Sequence, residues 1–227
     1  MKKITMAVYQ AVPVFCLSLL VFLCPAVAAE TAPPEAVAAA ESGLAQFLTE
    51  LPDSEMGNFG FLPGDRLSAA RVGIPLQLYT ITPDVLFNAA ADASVDALLS
   101  PTGRWFFPVI LEGTPRAILT VERMDGKWEA VTLGMTPLAG ELEKIRRQWP
   151  GGEGYHPKLV AVYQAASYFF TVPEKDNKNF TPLTFDGVGF RGYYQKTGPE
   201  YSSTATLSEV IGPLREAVEE NIRFYQK

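Results

Sequence analysis

The chain has 227 residues, 48% of them hydrophobic and 19% charged, and 25 acidic side chains against 19 Lys and Arg give it a net charge of −6. That balance argues against nucleic acid or an anionic membrane face as a partner, since both call for surplus positive charge. The length fits one domain with a sizeable core, and two cysteines do not make a disulfide framework.

The N-terminal stretch carries Lys2 and Lys3, then an apolar run over residues 4–23, then "PAVAAE" with small residues at Ala26 and Ala28. A basic start, an apolar stretch and an A-x-A site predict a signal peptide over residues 1–29, cleaved after Ala28 or Ala29. The alternative is an uncleaved anchor, because residues 4–23 are near the length that crosses a bilayer. A lipoprotein at Cys24 fits less well, Phe22 and Leu23 being bulky where small residues are usual. Both cysteines, Cys16 and Cys24, fall in this stretch. The remaining chain of about 199 residues would be free of cysteine, with 17 basic and 25 acidic side chains and a net charge of −8. It would be periplasmic or secreted, with no transmembrane helix after cleavage and no thiolate chemistry.

Residues 30–41 are rich in Ala and Pro and read as a tether entering a helix. Val37, Ala40, Leu44, Phe47, Leu48 and Leu51 then recur at helical spacing until Pro52 stops them. Residues 52–65 are turn-rich, with Phe59, Phe61 and Leu62 available to tuck beneath. "RVGIPLQLYTI" (71–81) alternates Val72, Ile74, Leu76 and Leu78 on one face, and Pro75 predicts an edge strand. Thr82 as N-cap and Pro83 open a short helix.

"WFFPVILEGTPRAILTVERMDGKWEAVTLG" (105–134) predicts a three-stranded antiparallel meander. Its first run is apolar on both parities, as in a strand covered on both faces. Ala117, Leu119 and Val121 lie on one side of the second run, with Arg116, Thr120 and Glu122 opposite. Asp125-Gly126 supplies a tight turn. Leu138, Leu142, Ile145 and Trp149 form the stripe of a helix over 136–150, with Thr136 able to cap it. Residues 158–172 are too long for one strand of a small domain, so a bend is expected near Ala165-Ala166-Ser167. A polar loop (174–179) and two further strands, "FTPLTF" and "GFRGYYQK", follow. The C-terminal helix carries Leu207, Val210, Ile211, Leu214, Val218, Ile222 and Tyr225 on one face. Thr206 with Glu209 forms a capping box, and Gly212-Pro213 would kink or restart the helix.

Motifs for chemistry are sparse. His156 is the only histidine, which leaves no two-His metal centre, and no G-x-S-x-G elbow exists for a triad. It reads as a loop residue. "GVGFRG" (187–192) matches G-x-G-x-x-G but continues as "YYQKTGPEYSS", not as the helix a dinucleotide needs. Asp92 and Asp96 would share a face if their segment were helical, yet such pairs are usually solvated. No cofactor and no metal is implied. Aromatics in or beside the strands are the remaining handle: Trp105, Trp128, Tyr163, Tyr168, Tyr193, Tyr194 and Tyr201. Most should be core, but adjacent Tyr193 and Tyr194 point to opposite sheet faces, so one should face outward.

The F-P-V strand, its turn, the second strand and the D-G-K-W turn resemble a hairpin of exported bacterial domains. With the following helix, about 45 residues are similar to cystatin-like and PepSY-like domains. Those families hold protease inhibitors, propeptides and envelope modules, so the resemblance implies a fold and carries over no functional residue. The expectation is an α+β domain over residues 30–227, with an antiparallel meander packed by amphipathic helices. Its expected role is non-catalytic binding or accessory work in the bacterial envelope, on Trp105, Tyr193 and Tyr194, with an envelope protein or small ligand as partner. The alternatives are a carboxylate-dependent hydrolase of cell-wall sugar and a small-ligand binder with an apolar cavity.

Overall fold

The apolar repeat after residue 34 folds as helix α1 (Pro34–Glu50), with proline at its start and Leu51-Pro52 ending it. A computed structural model describes residues 31–90, 92–183 and 205–225. A 3-10 turn over Asp53–Phe59 leads to Phe61, which is fully buried. Leu62 stays exposed at a turn that Asp65 closes, its carboxylate accepting the Leu62 N–H at 2.8 Å. The expected strand over 71–81 is two strands, β1 (Arg71–Val72) and β2 (Leu76–Thr80), with Ile74 69% exposed between them. The edge assignment is corrected: β2 is paired on both sides. Pro75 stands just outside the ladder, where its missing N–H costs nothing. Helix α2 (Pro83–Asn88) follows, and Thr82 makes no side-chain cap.

The meander is β3 (Ser100–Leu111), β4 (Thr114–Met124) and β5 (Lys127–Gly134). Its turns are Glu112-Gly113 (φ 51° and 78°) and Asp125-Gly126 (φ 49° and 83°). Positive φ at both central residues matches the right-handed twist of the strands they join. Pro108 sits inside β3, yet its carbonyl accepts Gly73 N–H at 2.6 Å. In an antiparallel strand a residue's N and O point to the same side, so the missing donor faces the break between β1 and β2.

Helix α3 (Thr136–Gln148) starts at Thr136 itself behind Met135, so Thr136 does not cap it. Strands β6 (Lys158–Val162) and β7 (Ser167–Thr171) form a hairpin. The expected bend is thus a full reversal, through Tyr163–Ala165 and left-handed Ala166 (φ 45°). β8 (Asn179–Pro182), β9 (Ala205–Thr206) and helix α4 (Leu207–Tyr225) complete the described chain. The second of the two strands expected after the loop, residues 189–196, lies outside the described residues, as does residue 91. Helix α4 runs through Pro213 without restarting. Of the expected capping box the Glu209 half forms: its carboxylate accepts the Thr206 N–H at 2.8 Å, and it also accepts the Thr206 hydroxyl at 2.9 Å. Those bonds hold the Glu209 carboxyl below its ordinary value.

Nine strands form one sheet in the order β5-β4-β3-β2-β6-β7-β8-β9, with β1 beside β3. Only β2 and β6 run parallel among these pairs. The fold is α+β. On one sheet face α1 covers Trp105, Phe107, Val109, Leu119 and Val121, and α4 with α2 covers Val160, Val162 and Phe169. On the other face α3 covers Leu76, Leu78, Phe106, Ile118 and Leu159. Thr120, opposite Ala117, Leu119 and Val121 as expected, is buried there too. Among the described residues no helix is long and apolar enough to cross a membrane.

Candidate functional site

The reach of α3 decides where that second face stays open. Strand β5 ends, and β6 begins, at the same end of the sheet, because β2 and β6 are parallel while β2 to β5 alternate. Thirteen helical residues reach about 20 Å. The four strand gaps from β5 to β6 measure about 19 Å at 4.8 Å each. The helix therefore crosses the strands near the end it starts from and cannot also cover the other end. Thr80, Thr102, Arg104, Glu122 and Tyr163 line the uncovered end as an open groove of ≈ 440 Å³.

Each of these side chains has an assigned place. Thr80 ends β2, opposite Ala161 of β6, and donates its hydroxyl to the Ala161 carbonyl at 2.7 Å. Thr102 donates to the Leu78 carbonyl at 2.7 Å and accepts the Arg104 backbone N–H at 3.2 Å. Arg104 of β3 faces Glu122 of β4 across the ladder, and Glu122 faces Glu129 of β5. The Arg104 guanidinium pairs with Glu122 at 2.7 Å, donates to the Tyr163 hydroxyl at 3.3 Å and lies 5.7 Å from the centre of that ring. Burial works against the Arg104 charge, but Tyr163 and Glu122 outweigh it and hold the guanidinium above its ordinary value. Tyr163 is 42% exposed. Next to it, burial and then Tyr163 itself raise the Tyr168 phenol above its ordinary value, against the opposing pull of Arg104.

The residues expected to bind fall elsewhere. Trp105 is 4% exposed and packed beneath α1, so its indole belongs to the core and not to an open surface. The both-faces-covered reading of its strand explains why: odd positions of β3 point at α1. Tyr193 and Tyr194, with the GVGFRG run and Tyr201, lie outside the described residues. Asp92 and Asp96 do not share a helical face, since a 3-10 turn spans only Val95–Leu98, and Asp96 pairs with Lys158 at 3.0 Å. His156 is held by Glu174, which meets its ring at 2.9 Å and its backbone N–H at 3.2 Å. Among the described residues no group of three or more His, Cys, Asp or Glu could hold a metal.

The sequence lists Tyr163 among the strand aromatics and sets Glu122 on one side of its strand, but marks none of Thr80, Thr102, Arg104, Glu122 or Tyr163 as a binding residue. Ser100–Arg104 looks like a turn because of Pro101 and Gly103, yet it is the first part of β3. A signal was present: Arg104 and Glu122 are charged on the parity of Phe106 and Ile118, which the α3 core buries. No protein-family model matches the chain, and no curated protein or solved structure matches it either.

Proposed function

We propose that this chain is an exported, non-catalytic binding or accessory protein of the bacterial envelope, and that the groove beside α3 is its binding surface. One observation carries the reading. Arg104 is gripped from two sides, by Glu122 and Tyr163, at an uncovered end of the sheet. An exposed polar and aromatic cluster whose side chains are fixed before any ligand arrives loses little entropy on binding. Core packing does not require it, because the α3 core closes without these residues. The signal-like N-terminal stretch supports export, and the resemblance to cystatin-like and PepSY-like domains supports an envelope module.

Co-sedimentation with isolated bacterial envelopes tests this. The protein is expected to pellet with envelopes, and a Tyr163→Ala/Arg104→Met variant with unchanged circular dichroism is expected to stay in the supernatant. Equal pelleting of both proteins, or pelleting of neither, would contradict the groove as the binding surface.

A further inference from the structure

The hydrogen-bond ledger of the groove points to a class of ligand. We infer that the groove binds a neutral, polyhydroxylated sugar chain; this rests on the groove being the binding surface. Thr80 and Thr102 have given their protons to the carbonyls of Ala161 and Leu78, so toward the groove their hydroxyls act as acceptors. Thr102 has also taken up the Arg104 backbone N–H. Arg104 spends Nε on Glu122 and Nη1 on Tyr163, which leaves Nη2 to donate outward. The Tyr163 hydroxyl accepts from Arg104 and so keeps its own proton to give. Glu122 meets Arg104 through Oε1 and keeps Oε2 to accept.

The surface therefore offers two donors, Arg104 Nη2 and Tyr163 Oη, beside two acceptors, Glu122 Oε2 and Thr80 Oγ1. A sugar hydroxyl both donates and accepts, so vicinal hydroxyls can satisfy such a mixed set where a purely accepting or purely donating group cannot. Charge points the same way. An anion would meet Glu122, with Glu129 directly across the ladder from it, and a cation would meet Arg104. The Arg104–Glu122 pair cancels locally, so Coulomb attraction favours neither sign. Tyr163, 42% exposed, adds an aromatic surface on which the C–H face of a pyranose can rest. Groups that remain half in water make weak individual contacts, which suits a repeating ligand that engages several sugars in turn.

The experiment is titration of the ¹⁵N-labelled protein with four probes: cellohexaose, hexa-N-acetylchitohexaose, hexagalacturonate and hexalysine. The inference predicts that at least one neutral oligosaccharide shifts the amides of Thr80, Thr102, Arg104, Glu122 and Tyr163. Its affinity should change less than twofold as salt rises, because no net charge is exchanged. Tyr163→Ala and Glu122→Gln should each weaken it tenfold or more, with circular dichroism unchanged. Groove shifts with hexagalacturonate or hexalysine alone, fading in salt, would overturn the neutral-sugar assignment while leaving the groove as a binding surface. No groove shift with any probe, from a protein that still pellets with envelopes through Tyr163, would also overturn the sugar assignment alone. If the Tyr163→Ala/Arg104→Met variant pellets as the parent does, the groove itself falls.

Discussion

Single residues show how closely the parts of this chain meet. Gly43 lies inside α1, where glycine costs about 1 kcal/mol relative to alanine. Its presence has a steric reason, since a Cβ added there would collide with the Cβ of Ala130 on β5. Gly43→Ala is therefore expected to lower stability by about 1–3 kcal/mol, against the propensity gain, because the helix must lift off the sheet. Ala130→Gly in the same chain should restore part of that loss, and urea denaturation of the four proteins of the cycle measures it. Glu209 makes a prediction about pH. Its carboxyl is depressed by the Thr206 N–H and hydroxyl, so the stability it contributes is present above the ordinary carboxylate pKa and is lost as pH falls through the lower folded value. Melting temperatures of the parent and Glu209→Ala should differ near neutral pH and converge in acid. A difference that persists below the carboxylate range would contradict the capping role.

Secondary elements were readable where period and punctuation agreed. The stripe of α3, both glycine turns of the meander and the bond from Thr206 N–H to the Glu209 carboxylate follow from local rules, and each is present. Local rules failed where a neighbouring strand decided the outcome. Pro75 reads as an edge marker, yet it ends an irregular link and leaves β2 in the middle of the sheet. Tyr225 fits the apolar stripe of α4 but is 78% exposed, at the last residue of the helix. The long run 158–172 gave its break correctly but not that the break is a hairpin. On α3, Leu142 is fully buried between strands and helix. Leu142→Ala should cost about 2–5 kcal/mol, read from chemical denaturation, since the lost side chain leaves a cavity. The same substitution is expected to weaken binding at the groove no further than unfolding explains, because the helix bounds the groove without lining it.

For the whole molecule, the parallel pair β2 and β6 is the organising feature. It returns the chain to one end of the sheet after the meander, so α3 must cross where it starts, and the far end stays bare. That consequence was not legible in the sequence. Strand pairing between residues some eighty positions apart leaves no local pattern, and the groove gathers Thr80, Arg104, Glu122 and Tyr163 from four separate segments. What the sequence did convey was the exposed-aromatic idea, which Tyr163 fits and Trp105 does not. A second concavity, between α2 and α4, is lined by Phe87, Glu219, Ile222 and Arg223, with Phe224 exposed nearby. It serves as an internal control, since a binding surface at the groove should leave it untouched.

The most direct test is amide hydrogen exchange of the protein alone and bound to envelope material, compared segment by segment. The groove account predicts added protection confined to residues 78–82, 100–104, 120–124 and 161–165, with residues 84–88 and 219–225 unchanged. Protection at the α2–α4 concavity instead, or no change at the groove when the protein is bound, would contradict it.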